Sequence, residues 1–248
     1  MHELDMTIQS GVTRVLHTAG KYCEGDIVIK AEGGDYGKGY ESGVAQGEQN
    51  AYDAFWDMFQ KNGTRTEYRY AFAYTDWTEE MFKPKYPFKL TGDNTYAFLG
   101  VQAVWEDKVF EVDTAEAVNL MWAFRLTKFK RIGKCDLSSA TQINAIFSIC
   151  SNLVSIEEIV SHEGLDWANA FDWSSNLEEI RFSGVIGKNI SFSTNGKLSN
   201  ESANSIINAL KDLTGATAQT ITFHATVGGK LTDEQKAVIS AKNWTLVY

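Results

Sequence analysis

The chain has 248 residues, 44% hydrophobic and 12% aromatic, with a formal net charge of −9. That is enough for one large domain or two small ones with a sizeable core, and it excludes a globally disordered chain. The acidic balance repels phosphate backbones, so no nucleic-acid partner is expected. The cysteines Cys23, Cys135 and Cys150 are odd in number and form no CxxC, which points to neither a disulfide framework nor a zinc knuckle.

In chain order, MTIQ, VTRVL and DIVIK read as short strands separated by Ser10-Gly11, Ala19-Gly20 and Glu24-Gly25. Gly33-Gly34 closes this unit. Residues 36–61 read as a helix that stops at Asn62-Gly63. Gly39, Gly43, Gly47 and Ala51 lie four apart and share one face, which continues into Phe55 and Phe59. A glycine costs about 1 kcal/mol against alanine in a helix, so close packing is expected to offset it. Lys38, Glu41, Gln46, Glu48 and Asp53 make the helix too polar to enter a membrane, and packing against further copies of itself is the favoured reading. The turn GKGYESG is one residue longer than a dinucleotide fingerprint and lacks the GK[ST] of a phosphate loop, so no cofactor is expected. Short helical pieces are expected at residues 66–73 and 76–82, and Pro84 and Pro87 mark a boundary.

Beyond that boundary the apolar positions repeat. Phe124, Phe147 and Phe171 are spaced by 23 and 24 residues. Leu120, Ile143 and Trp167 stand four before them. Phe129, Leu153 and Leu177 follow, and Ile132, Ile156 and Ile180 come three later still. Cys150 shares a column with Thr127 and Ser174 and reads as core filler, not as a nucleophile. Fixed apolar columns at this period predict a solenoid of the leucine-rich type. SANSIINALKDL and TDEQKAVISAK read as helices, and QTITFHA and NWTLVY as strands, together forming a C-terminal cap. The expected fold class is therefore α+β. Residues 1–34 form a small N-terminal β module, 35–87 a helical linker or oligomerisation segment, and 88–248 a short leucine-rich-repeat-like solenoid with an α/β cap.

Catalytic and metal-binding patterns are absent from the sequence. His2, His17, His162 and His224 have no metal-ligand spacing, and no GxSxG occurs. Glu157-Glu158, or Asp166 with Asp172, are the carboxylates that a glycosidase reading would use, and solvated edges account for them. The basic run Lys128, Lys130, Arg131 and Lys134 reads as a solvated face rather than a phosphate site. Of the seven tryptophans, Trp56, Trp167 and Trp244 are expected to pack, while Trp105, Trp122 and Trp173 are candidate ligand-contact aromatics. The N-terminal MHELDMTIQSG has no basic region followed by an apolar run, so no signal peptide is expected, and no apolar run reaches 18 residues.

The segments FSICSNLVSIEEI and FDWSSNLEEIRFSGVIG resemble the BspA-like leucine-rich repeats of bacterial and phage surface proteins. Phe147, Cys150, Leu153 and Ile156 match that pattern in full. Phe171, Ser174, Leu177 and Ile180 match it with a serine, and the first unit departs by one deleted residue. GVTRVLHTAGKYCEGDIVIKAEGG is similar to a β module near the start of tail-associated proteins of phages of Firmicutes. The resemblance implies a non-enzymatic structural protein of a phage tail, baseplate or fibre, made in the host cytoplasm and located in the virion. The expected partners are itself through the glycine-striped helix, as a homo-oligomer with a trimer favoured, other virion proteins, and a host cell-surface glycan or protein. The alternatives are a bacterial surface adhesin-like binding protein and, further off, a cell-wall glycan hydrolase.

Overall fold

In a computed structural model, which describes residues 14–16, 27–29, 56–57, 59–61, 63–64, 66–73, 84, 86–105 and 108–248, the phenylalanine column becomes a ladder of stacked rings. Phe72, Phe98, Phe124, Phe147, Phe171, Phe192 and Phe223 follow one another with ring centroids 5.6, 5.3, 5.4, 5.8, 4.7 and 6.0 Å apart and planes within 23° of parallel. All seven are buried. Each ring belongs to one turn of chain that lies on the next, and the ladder forms the spine of the core.

A strand accompanies most of these turns. β1 (Arg14–Leu16) and β2 (Ile27–Ile29) form a separate antiparallel pair. β3 (Phe88–Asp93) pairs in parallel with β4 (Val112–Asn119). β5 (Arg131–Asp136), β6 (Ser155–Ser161) and β7 (Glu179–Gly184) form a parallel sheet in that order. β8 (Ile190–Phe192), β9 (Gln219–Phe223) and β10 (Trp244–Val247) form another, with β9 central. Register puts Ile132 opposite Ile156 and Ile156 opposite Ile180, so the isoleucine column of the sequence is one row of inward side chains. The helices are α1 (Asn200–Ala209), α2 (Ala225–Gly228) and α3 (Asp233–Ala241). Thr232 and Gln235 cap α3 reciprocally, each side chain taking the other's backbone N–H.

The expected α+β fold with a leucine-rich-repeat-like solenoid is corrected here. The described residues form a mixed helix and strand structure with three small parallel sheets of two, three and three strands, and few helices. Two local causes separate the sheets. Between β4 and β5 only isolated bridges form, at Phe110–Ile132 and Asn119–Gln142, and the Thr114 hydroxyl takes the Asp136 carbonyl between them. Among the described residues no further strand pairs beside β7: the N–H groups of Ile180 and Phe182 donate to the hydroxyls of Ser202 and Ser205 on α1. The helix thus occupies the place of a further strand, and side-chain oxygen replaces the missing ladder.

The expected helix at residues 66–73 is also corrected: this segment is extended and turn. Tyr70 has φ 55°, and the N–H groups of Tyr70 and Phe72 reach the carbonyls of Thr95 and Ala97 in the next turn instead of the preceding helical one. Of the expected glycine-striped helix, residues 36–55 lie outside the described residues, as do residues 76–82.

Candidate functional site

The turns that carry the phenylalanine ladder share an unusual backbone. Two residues before and two after the ring, φ is positive. The first column holds Tyr70, Tyr96, Trp122, Ala145 and Asn169, and the second Gly100, Leu126, Ile149 and Trp173, with φ between 51° and 74°. Eight of these nine are not glycine, and the left-handed region costs such residues about 1–2 kcal/mol each. The hydrogen bonds explain why the cost is borne. Alternating backbone hand turns every second N–H along the stack, so Trp122, Phe124 and Leu126 donate to Asn144, Ile146 and Ser148. Tyr96, Phe98 and Gly100 likewise donate to Met121, Ala123 and Arg125. The intervening N–H groups close short turns, as Ala123 does to Leu120 and Arg125 to Trp122. Every backbone donor of the turn is satisfied without a strand or a helix.

Beneath this face runs a buried polar row. The Thr127 hydroxyl and the Cys150 thiol both donate to the Phe124 carbonyl, at 2.9 Å each. Ser174 Oγ donates to the Phe147 carbonyl at 2.6 Å and accepts the Cys150 N–H at 3.0 Å. Asn195 Nδ2 closes the row on the carbonyls of Phe171 and Ser174, at 3.2 and 2.8 Å. Burial pushes the Cys150 thiol up to about 11 and the Cys135 thiol up to about 12, so both stay protonated and inert. Cys150 is thus a turn-fastening donor.

The face itself is aromatic and apolar. Tyr70 stacks on Tyr96 at 4.6 Å, and Tyr96 meets Trp122 edge-on at 5.1 Å. The Arg125 guanidinium lies over Trp122 at 4.4 Å, and Arg69 over Tyr70 at 5.4 Å. Leu126 and Ile149 are half-buried in the adjoining column. Trp173 ends that column and is 69% exposed, the most exposed large hydrophobic side chain among the described residues. Its backbone N–H donates to the Thr194 hydroxyl at 2.8 Å, where the preceding turns offer a backbone carbonyl.

The candidate aromatics therefore fall in three different places. Trp105 is 8% exposed, stacks on Phe129 at 5.5 Å and lies tilted against Phe110 at 5.8 Å, so its ring is core. Trp122 is half-buried and shares its ring with Tyr96 and Arg125. Trp173 alone of the three presents its ring to solvent. Of the candidate helix face, Gly39, Gly43, Gly47, Ala51 and Phe55 lie outside the described residues. Phe59 packs within the chain, 5.2 Å from Phe72 and 6.2 Å from Tyr68. The pairing of Tyr70 with Tyr96 gave no sequence signal, because their turns are spaced by 26 residues rather than 23.

The carboxylates are occupied locally. Glu158 pairs with Lys134 at 3.6 Å, and Asp166 accepts the Ala168 N–H. A shallow groove of about 420 Å³ beside Pro87 is lined by Glu111, Asp113, Lys134 and Asp136. There Asp113 and Asp136 each accept a nearby backbone N–H, from Ala115 and Ser138. His162 accepts the Gly164 N–H at Nδ1, which leaves the proton on Nε2 for the Ala140 carbonyl 2.9 Å away. Among the described residues no group of His, Cys, Asp and Glu could hold a metal ion, and no helix is long and apolar enough to cross a membrane.

Comparison with protein-family models, with curated proteins and with solved structures finds no match for this chain.

Proposed function

We propose that this chain is a non-enzymatic structural protein of a phage virion, in the tail, baseplate or fibre region. Its left-handed face binds a host-surface glycan or protein, or a neighbouring virion protein. The observation that carries the reading is Trp173. A large apolar ring, 69% exposed, is held on a left-handed backbone that any non-glycine residue occupies at a cost. Folding alone gains little from a side chain in that position. Binding does, because interfaces draw most of their energy from a few fixed Trp, Tyr and Arg side chains. Tyr70, Tyr96, Trp122, Arg69 and Arg125 extend the same face with that composition. The location in a virion is supported by the resemblance of the N-terminal segment to a β module of phage tail-associated proteins, and of the FSIC and FDWS segments to repeats of bacterial and phage surface proteins.

The first test is the solution mass of the full chain by light scattering, beside Gly43→Leu. The assembly reading expects an oligomer that this substitution breaks. A monomer in both would remove self-assembly from the proposal. The second test applies fluorescently labelled full chain and Trp173→Ala to intact Firmicutes cells and to purified tail particles. Retained binding by both chains would dispose of the face, and binding lost in Trp173→Ala supports it.

A further inference from the structure

Within the stacked turns, two cations are fixed in place with no acid among the described residues to neutralise them. Arg125 Nε donates to Ser148 Oγ at 3.1 Å while its guanidinium plane lies 4.4 Å from the Trp122 ring. Lys128 Nζ donates to Ser151 Oγ at 2.8 Å. The two cations are three residues apart on one turn. The two serines are three residues apart on the next, Ser148 buried and Ser151 half-buried, so both heads are drawn to the same short stretch of that turn. Among the described residues no carboxylate lies within 4 Å of either cation. The exposed ion pairs use other residues: Arg69 with Asp93, Lys89 with Glu116, Lys134 with Glu158 and Lys211 with Glu163. Asp172, which follows Arg125 and Ser148 in the same column, makes no ion pair with Arg125.

A chain of net charge −9 has acid to spare, so leaving this pair without one is a choice of placement. The serine and the indole ring each serve the guanidinium in a different way. The hydroxyl takes Nε and the ring takes one face, so neither engages the Nη edge. That edge is the fork that matches the two oxygens of a carboxylate or phosphate. Most of the entropy of holding an arginine still is already spent in the free protein, which favours binding.

We propose that Arg125 and Lys128 form an oxyanion-binding site, which takes a phosphate or carboxylate group of a ligand lying on the turn at Ser148 and Ser151. This site stands on side-chain geometry alone and does not depend on the virion reading. The solvated-face reading of the basic run is thereby narrowed: Lys134 is paired across its sheet, while Lys128 is grouped with Arg125, outside the run.

The test titrates the full chain with sodium tripolyphosphate and, separately, with citrate at low ionic strength. Tryptophan emission reports on Trp122, and the Arg125 Nε–Hε resonance reports on the fork. The expected result is saturable binding of at least one anion with the Arg125 resonance shifted. Arg125→Ala and Lys128→Ala should each weaken it about tenfold, Arg125→Lys should weaken it less, and Arg181→Ala on β7 should leave it unchanged. Binding of tripolyphosphate alone assigns a phosphate ligand, and binding of citrate alone a carboxylate ligand. No saturable response to either anion overturns the proposal, as does undiminished binding in Arg125→Ala/Lys128→Ala. Far-ultraviolet dichroism checks each fold. Should Arg125→Ala fail to fold, Arg125→Lys and Lys128→Gln carry the same comparison.

Discussion

Ser202 Oγ accepts the backbone N–H of Ile180 at 2.9 Å and donates to the Glu178 carbonyl at 3.0 Å, so one hydroxyl serves β7 as two groups of a neighbouring strand would. The same oxygen is held by Ser199, whose hydroxyl lies 2.9 Å away. Ser202→Ala leaves the buried Ile180 N–H without a partner, while the Glu178 carbonyl keeps the Ser199 N–H. It should cost about 1–3 kcal/mol in a urea unfolding curve, with the slope unchanged. Ser205→Ala, which removes the partner of Phe182, should cost a similar amount. A loss under about 0.5 kcal/mol in both would show that water replaces these hydroxyls.

The aromatic ladder predicts a graded response. Phe147 lies between Phe124 and Phe171, 5.4 and 5.8 Å away, and is fully buried. Phe147→Ala should cost about 3–5 kcal/mol and Phe147→Leu clearly less, because leucine refills most of the cavity without the ring contacts. Equal losses would mean that stacking contributes nothing beyond volume.

Asn195 offers a pH test. Its Nδ2 donates to two carbonyls, so Asn195→Asp sets a carboxylate against oxygen. The buried acid is held protonated, with its folded pKa above the unfolded value. By linkage its stabilising contribution is fully present below the ordinary aspartate pKa of about 3.9 and is lost as pH rises through the raised value. The variant should therefore stand closest to the parent chain near pH 3 to 4 and fall furthest behind it at neutral pH, in melting curves taken across that window. A constant gap across the range would place residue 195 in contact with water.

Trp173→Gly should separate stability from binding. Glycine occupies φ 61° without the steric penalty, so the variant should be no less stable than the parent and gain up to about 1 kcal/mol, read as a raised melting temperature. A clear loss of stability would mean that the ring packs on the turn.

Thiol chemistry checks the polar row. Cys135 and Cys150, both buried and with thiols pushed up to about 12 and about 11, should resist iodoacetamide at pH 8 in the folded chain and react on addition of urea. Peptide mapping by mass spectrometry reads each site. Rapid native labelling of Cys150 would contradict its hydrogen bond to Phe124.

The centre of this structure was legible in the sequence, and its edges were not, for a physical reason. Phe124, Phe147 and Phe171 are evenly spaced because their turns are alike, so burial prints a period. Phe72 and Phe98 precede longer turns, Phe192 follows a shorter one, and Phe223 follows a longer one that contains α1. The rings still stack, but the spacing drifts and the period is lost. The small residue three after each ring was legible as a column; its hydrogen bonds were not, since they depend on a carbonyl one turn away. The left-handed positions left no trace, because Tyr, Trp, Leu and Ile stand where glycine is the usual signal. Arg125 was likewise illegible as a site, since its partners are one ring on its own turn and one hydroxyl on the next. The expected continuous repeat failed at Ser202 and Ser205, which as letters look like any helix surface.

One consequence of the ring ladder concerns length. Each aromatic plane rests on the one before it, and close-packed interiors compress little and transmit strain. Turns clamped ring to ring cannot slide or telescope past one another, so the distance from Tyr70 to Trp173 is fixed by the number of turns between them. A chain built this way works as a gauge block: lengthening it by one turn would move whatever binds at Trp173 outward by one strand spacing, about 4.8 Å, and leave every other dimension as it was.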